Sequence, residues 1–263
     1  MSKLNGQEVP VGRKALKAAE DSHRSSWFSR QSGVFFQLLA VGLPLALVTA
    51  AAPAARAADC SSSPEPGIDW SECSKRALML EGSDFRGANL TGADLMLTDL
   101  SRTNMNGANL EKASLARAWF TGATAEKANF NRIEGFRTGF DKVSAAGATF
   151  ASAELQRASF KGANLTGVDF EKAELGRADF SGAVLTGVRF PYANLSRADL
   201  SKAIFEGGLD LSHAFLFLTR IEGLDLSSST GLEQEQIDLA CGNASTRLPA
   251  GFTAPPTWPC PFD

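Results

Sequence analysis

Histidine is nearly missing from this chain, with two in 263 residues, His23 and His213. Only His213 lies beyond the first 57 residues, so no pair of imidazoles is available for a zinc site or a histidine-based acid–base couple. Also absent are a GxSxG elbow, a phosphate-binding glycine loop, an HExxH pair and a dinucleotide fingerprint. Cysteine is scarce, at four residues with no CxxC spacing among them, which argues against a thiolate metal centre. These absences predict no catalytic residues, no cofactor and no metal.

The middle of the chain follows neither the helical period of 3.6 nor the strand period of 2. Its period is five. Of the 26 residues from Leu80 to Phe205 whose number is divisible by five, 23 are Leu, Phe or Met, the exceptions being Ala125, Gly135 and Ala145. Two residues earlier the chain usually carries Ala, as at Ala88, Ala93, Ala108 and Ala158. A solenoid fits this pattern if each five-residue side turns one large and one small residue inward and three outward.

A longer period is laid over the first. Arg117, Arg137, Arg157, Arg177 and Arg197 recur every 20 residues, as five of the nine arginines between Leu78 and Phe205. Phe120, Phe140, Phe160 and Phe180 share one column; Phe130, Phe150, Phe170 and Phe190 share the opposite one. Four sides of five residues explain a 20-residue column. With coils roughly 4.8 Å apart, the interior is expected to hold two facing ladders of phenyl rings.

The units Ala88-Asn89-Leu90-Thr91-Gly92, Ala163-Asn164-Leu165-Thr166-Gly167 and Ala178-Asp179-Phe180-Ser181-Gly182 resemble those of the pentapeptide-repeat family, and the resemblance spans residues 78–226. It implies an all-β fold, a right-handed quadrilateral β-helix solenoid with four pentapeptides to a coil. After Phe205 the register slips by one at Gly207-Gly208, making Leu211, Leu216, Ile221 and Leu226 the inward residues. Within 227–263, Leu232, Ile237 and Leu239 among Glu and Gln predict a short helix, with Ser227 to Thr230 available to cap it and Gly242 to end it.

Residues 1–57 do not share the repeat. A basic, polar start leads into the apolar run Val34 to Val48 and then Ala55-Arg56-Ala57, the anatomy of a signal peptide cleaved after Ala57. A retained membrane anchor is the competing reading, although Gln37 and Pro44 interrupt the run. All four cysteines follow that site, with Cys60 and Cys73 before the first coil and Cys241 and Cys260 after the last. Two local pairs at the two ends read as disulfides closing an N-terminal cap, 58–77, and a C-terminal cap, in an oxidising compartment. The leader holds seven Lys and Arg against three acids, so its loss takes the chain from 26 basic and 29 acidic side chains to 19 and 26, net −7. That balance gives no general attraction to nucleic acid.

Two surface features invite a functional reading. Gly135 and Ala145 leave the coil from Asn131 to Ala146 short of large inward residues, which is either a repacked irregularity with Ile133 or Phe136 filling it, or a ligand notch. The arginine column is the second. Glu134, Glu154 and Glu174 lie on the same side and offer a self-neutralising ladder; otherwise the guanidiniums are free to grip a linear anion. The sequence therefore predicts an exported, non-enzymatic structural or protein-interaction rod, periplasmic or secreted from a bacterial cell. Its partner would be a protein or an anionic envelope component, with an end-to-end homodimer also open. The family resemblance supplies an alternative, a cytosolic DNA mimic that protects type II topoisomerase, which requires a strongly negative stripe.

Overall fold

Why five residues make one side is visible in the backbone of Ala153 to Arg157. Glu154 N–H donates to Ile133 O of the preceding coil (2.9 Å), and Leu155 and Arg157 N–H donate to Glu174 O (2.8 Å) and Gly176 O (2.9 Å) of the following coil. Ala158 N–H then closes the corner on Leu155 O at 3.0 Å. Four of every five N–H groups are thus used by the coil itself. The fifth, on the residue after the large inward one, is left to a side chain.

On most sides an Asp or Asn takes that role. Ser181 N–H donates to Asp179 Oδ1 (2.9 Å), Met96 N–H to Asp94 Oδ1 (3.2 Å) and Thr166 N–H to Asn164 Oδ1 (3.2 Å). This local loop is the physical reason for the Ala-Asn/Asp-Leu consensus. It also titrates. The carboxyls of Asp69 and Asp99 are held below the usual carboxylate range, chiefly by the hydroxyls of Ser71 and Ser101 and then by the backbone N–H of the same residues. A carboxyl whose folded value is depressed stabilises the fold above its unfolded value of about 3.9 and loses that contribution as pH falls through the folded value. The thermal midpoint should therefore hold steady from pH 7 to about 4 and drop below it; an unchanged midpoint at pH 2 would contradict this role.

A computed structural model describes residues 58–261. The expected signal peptide and its cleavage site at Ala57 lie outside the described residues. Parallel bridges join residues 20 apart, four to a coil, from Asp69 with Asn89 to Val184 with Ile204. The spacing becomes 21 for the three bridges that span Gly207-Gly208, Arg189 with Asp210, Asn194 with Phe215 and Asp199 with Arg220, and returns to 20 at Asp210 with Thr230; Leu211, Leu216, Ile221 and Leu226 are inward at 1% exposure or less. The rings stack as the columns require. Phe140, Phe160 and Phe180 follow one another at 5.0 Å, Phe130 and Phe150 at 4.6 Å, and the two ladders meet edge to face at 5.5–6.0 Å.

Two details differ from the sequence reading. Coil geometry begins at Asp69 rather than at Leu78, because Trp70 and Lys75 occupy large inward places within the expected cap. Trp70 packs edge-on against Phe85 at 5.3 Å, and the Lys75 ammonium, whose pKa burial pushes down, sits 3.6 Å above the Trp70 ring centroid and donates to Cys60 O. Helix α1, Gln234–Leu239, is capped by Glu233, whose N–H donates to Gln236 Oε1 at 2.7 Å. Ser227 cannot cap it, since its hydroxyl and N–H are bound to Asp225, and Ala240 rather than Gly242 ends it. The thin coil is repacked: Ile133 is fully buried, and a Cβ on Gly135 would lie 2.9 Å from Leu155 Cδ2, so Leu155 already fills that space. Phe136 points out, at 40% exposure.

Both ends are covered. Cys60 and Cys73, and Cys241 and Cys260, stand at disulfide-bonding distance, each pair with Cα atoms 5.4 Å apart. At the C-terminal end helix α1 stands where a coil side would, and Gln236 Nε2 donates to Leu211 O (2.9 Å) and Ala214 O (2.7 Å).

Candidate functional site

Each corner turn needs a positive φ at its second central residue, the place a type II turn gives to glycine. One corner obeys almost without exception, with Gly67, Gly87, Gly107, Gly147, Gly167, Gly187 and Gly207 and a single Lys127. The diagonally opposite corner holds Arg117, Arg137, Arg157, Arg177 and Arg197, at φ between 57° and 61°. An L-residue in this conformation costs about 1 kcal/mol relative to glycine. Their N–H groups nonetheless bond the next coil, Arg157 to Gly176 O and Arg177 to Ser196 O (2.8 Å), which fixes each side chain at one coil's rise from the last.

All five arginine side chains are exposed, and among the described residues none forms an ion pair. The expected ladder with Glu134, Glu154 and Glu174 is therefore not made. The reason lies in the corner geometry. Corner arginines elsewhere are neutralised from a place 21 residues earlier, where Glu81 pairs with Arg102 and Glu111 with Arg132. At the arginine corner those places hold Met96, Ala116, Phe136, Gln156 and Gly176, none of them acidic. Guanidiniums roughly 4.8 Å apart repel by nearly 1 kcal/mol per neighbouring pair even in water. Only Arg137 has a compensating contact, over the Phe136 ring at 5.1 Å.

Two of the glutamates each accept one hydrogen bond from a side chain one coil away. Ser114 Oγ donates to Glu134 Oε2 (3.0 Å) and Asn194 Nδ2 to Glu174 Oε2 (2.8 Å). Glu is one methylene longer than Asp, so it does not close the local loop described above. Among the described residues the N–H groups of Phe136, Gln156 and Gly176 consequently have no protein acceptor, and they lie beside Arg137, Arg157 and Arg177. A shallow groove of about 400 Å³ runs past Arg157, Arg177 and Arg197, with Gln156, Gly176 and Ser196 along it.

Sequence reasoning located the column but not these donors, nor the exposed rings around it. Trp119 (48% exposed) and Phe136 stand near one end of the arginine row, Phe215 and Phe217 at the other. His213 is exposed and stacks on Tyr192 at 4.8 Å, away from the arginines. Among the described residues no cluster of His, Cys, Asp and Glu is arranged to hold a metal ion, and no helix is long and apolar enough to cross a membrane.

Comparison with known proteins matches this coil pattern to pentapeptide repeats, as eight copies in overlapping segments at residues 80–102, 93–132, 146–182, 169–207 and 178–216. The chain belongs to the pentapeptide-repeat family. Its fold is the family's right-handed quadrilateral β-helix. Pentapeptide-repeat proteins are in general structural or interaction proteins. Among solved structures, HetL, a pentapeptide repeat protein involved in heterocyst differentiation regulation in the cyanobacterium Nostoc, is 22% identical, with 72% of this chain and 86% of HetL covered at a TM-score of 0.40. Full-length QnrB1, a plasmid-mediated fluoroquinolone resistance protein, is 18% identical, with 72% and 94% covered and a TM-score of 0.35. A pentapeptide repeat protein of the Arabidopsis thaliana thylakoid lumen is 24% identical, with 63% and 79% covered and a TM-score of 0.15. No curated protein matches the chain.

Proposed function

We propose that this pentapeptide-repeat protein is an exported, non-enzymatic interaction rod whose arginine corner takes a linear anionic partner. The observation that carries the reading is the unbroken run of five exposed guanidiniums, on consecutive coils, with no carboxylate partner among the described residues. A chain of regularly spaced anions would relieve their repulsion, and planar forks suit successive carboxylates or phosphates. Export is supported by the leader's charge and apolar pattern and by cysteine pairs at both ends, which favour an oxidising compartment. The DNA-mimic alternative needs a negative stripe, whereas the unbroken charged corner here is cationic.

The test is elution from a carboxymethyl matrix in a salt gradient. Wild-type protein should be retained despite its net negative charge and released by salt, and Arg137→Gln/Arg157→Gln/Arg177→Gln should pass unretained. Equal elution of the two would overturn the anion reading. N-terminal sequencing of protein fractionated from the native host tests export; an intact Met1 in the cytosol would overturn it.

A further inference from the structure

The side chains beside the arginines narrow the anion, a step that rests on the anion-binding reading above. We infer that the corner takes a linear acidic polysaccharide, with a carboxylate on its sugars, rather than a chain of phosphates. Glu134, Glu154 and Glu174 bridge one another directly in successive coils, and Glu occupies the place before the large inward residue nowhere else between Leu80 and Phe205. The choice has two consequences. It leaves backbone donors uncapped at Gln156 and Gly176, and it sends carboxylates out to the surface alongside Arg157 and Arg177.

Polyphosphate presents acceptors only, so it is drawn by the arginines and repelled by the glutamates. A polyuronate presents both kinds of group. Its carboxylates suit the arginine forks, while its hydroxyls donate to Glu154 and Glu174 and accept from the free N–H groups. The rise of one coil, roughly 4.8 Å, is close to the advance of one pyranose in an extended glycan, so successive arginines meet successive sugars.

Exposed rings complete the fit. Phe136 and Trp119 flank one end of the row, and at the other Phe215 and Phe217 lie parallel, 6.2 Å apart with 11° between their planes. The negative face of an aromatic ring attracts the C–H groups on a sugar's face, whereas it offers nothing to an inorganic phosphate.

Binding of polygalacturonate and of inorganic polyphosphate, matched for charge, decides the matter by titration calorimetry on the wild type, Glu154→Gln/Glu174→Gln and Arg157→Gln/Arg177→Gln/Arg197→Gln. Thermal melts confirm that each variant is folded. The glutamate pair should weaken polygalacturonate about tenfold, the low end of the worth of one hydrogen bond to a charged group, while polyphosphate binding strengthens. The arginine triple should weaken polygalacturonate at least about tenfold. If the glutamate variant strengthens both ligands, or polyphosphate is the better ligand for wild type, the polysaccharide inference fails and anion binding survives. If no polyanion binds in an arginine-dependent way, both fail.

Discussion

Phe160→Ala is expected to destabilise the protein by about 3 to 5 kcal/mol, the upper part of the range for large-to-small core changes. Phe160 is fully buried, stacked at 5.0 Å on Phe140 and on Phe180, and met edge-on by Phe150 at 5.9 Å and Phe170 at 5.7 Å. Truncation removes all four contacts at once. The cavity has little means of closing, because the coils above and below are held at a fixed pitch by backbone bonds on every side. Arg102→Ala is the matched control. Arg102 is exposed and pairs with Glu81 at the surface, so its loss should change stability by under about 0.5 kcal/mol. Denaturant unfolding measures both, and equal effects would mean that the inward register is wrong.

Removing the C-terminal link in Cys241→Ala/Cys260→Ala should cost about 3 kcal/mol, from the loop it closes. The two residues are 19 apart in sequence. Cys241 is fully buried and bridges Arg220 of the last coil, while the segment it tethers brings Trp258 against Gly242 and sets Trp258 Nε1 2.6 Å from Ala240 O. Without the tether, that lid closes a longer free chain, and the edge beneath it opens to solvent. Amide exchange in α1 and in Thr219 to Cys241 should accelerate in the variant before the Phe ladder is affected. A stability change under about 1 kcal/mol would show that packing of Trp258 alone holds the cap.

The coils were legible because a solenoid repeats its physics. Every side needs the same two inward residues and the same loop around one spare N–H, so the period, the Phe columns and the slip at Gly207-Gly208 stand in the sequence as written. The ends were less so, since each cap is a single arrangement. Trp70 and Lys75 fall on the five-residue register, but neither is the Leu, Phe or Met that fills inward places along the coils, and Ser227 looked like a helix cap until Asp225 claimed it. The arginine column was legible as a column and misleading as chemistry. Glu134, Glu154 and Glu174 lie near it in sequence, but the paired corner arginines, Arg102 with Glu81 and Arg132 with Glu111, are neutralised from 21 residues back. Read that way, the sequence shows the column to be bare. The spare donors on Gln156 and Gly176 follow from Glu being too long for the Asp loop, a consequence visible only once the loop itself is known.

Glycine is the residue the arginine corner's backbone asks for, and that makes one variant decisive. Arg157→Gly/Arg177→Gly/Arg197→Gly relieves three positive-φ side chains and the repulsion between them, partly offset by the greater freedom of an unfolded glycine. Thermal melting beside salt-dependent retention on a carboxymethyl matrix is therefore the most direct measurement. If the corner serves a ligand and not the fold, the variant keeps or raises its melting temperature while losing retention. A lower melting temperature with retention unchanged would contradict the account, since the arginines would then hold the rod together and touch nothing beyond it.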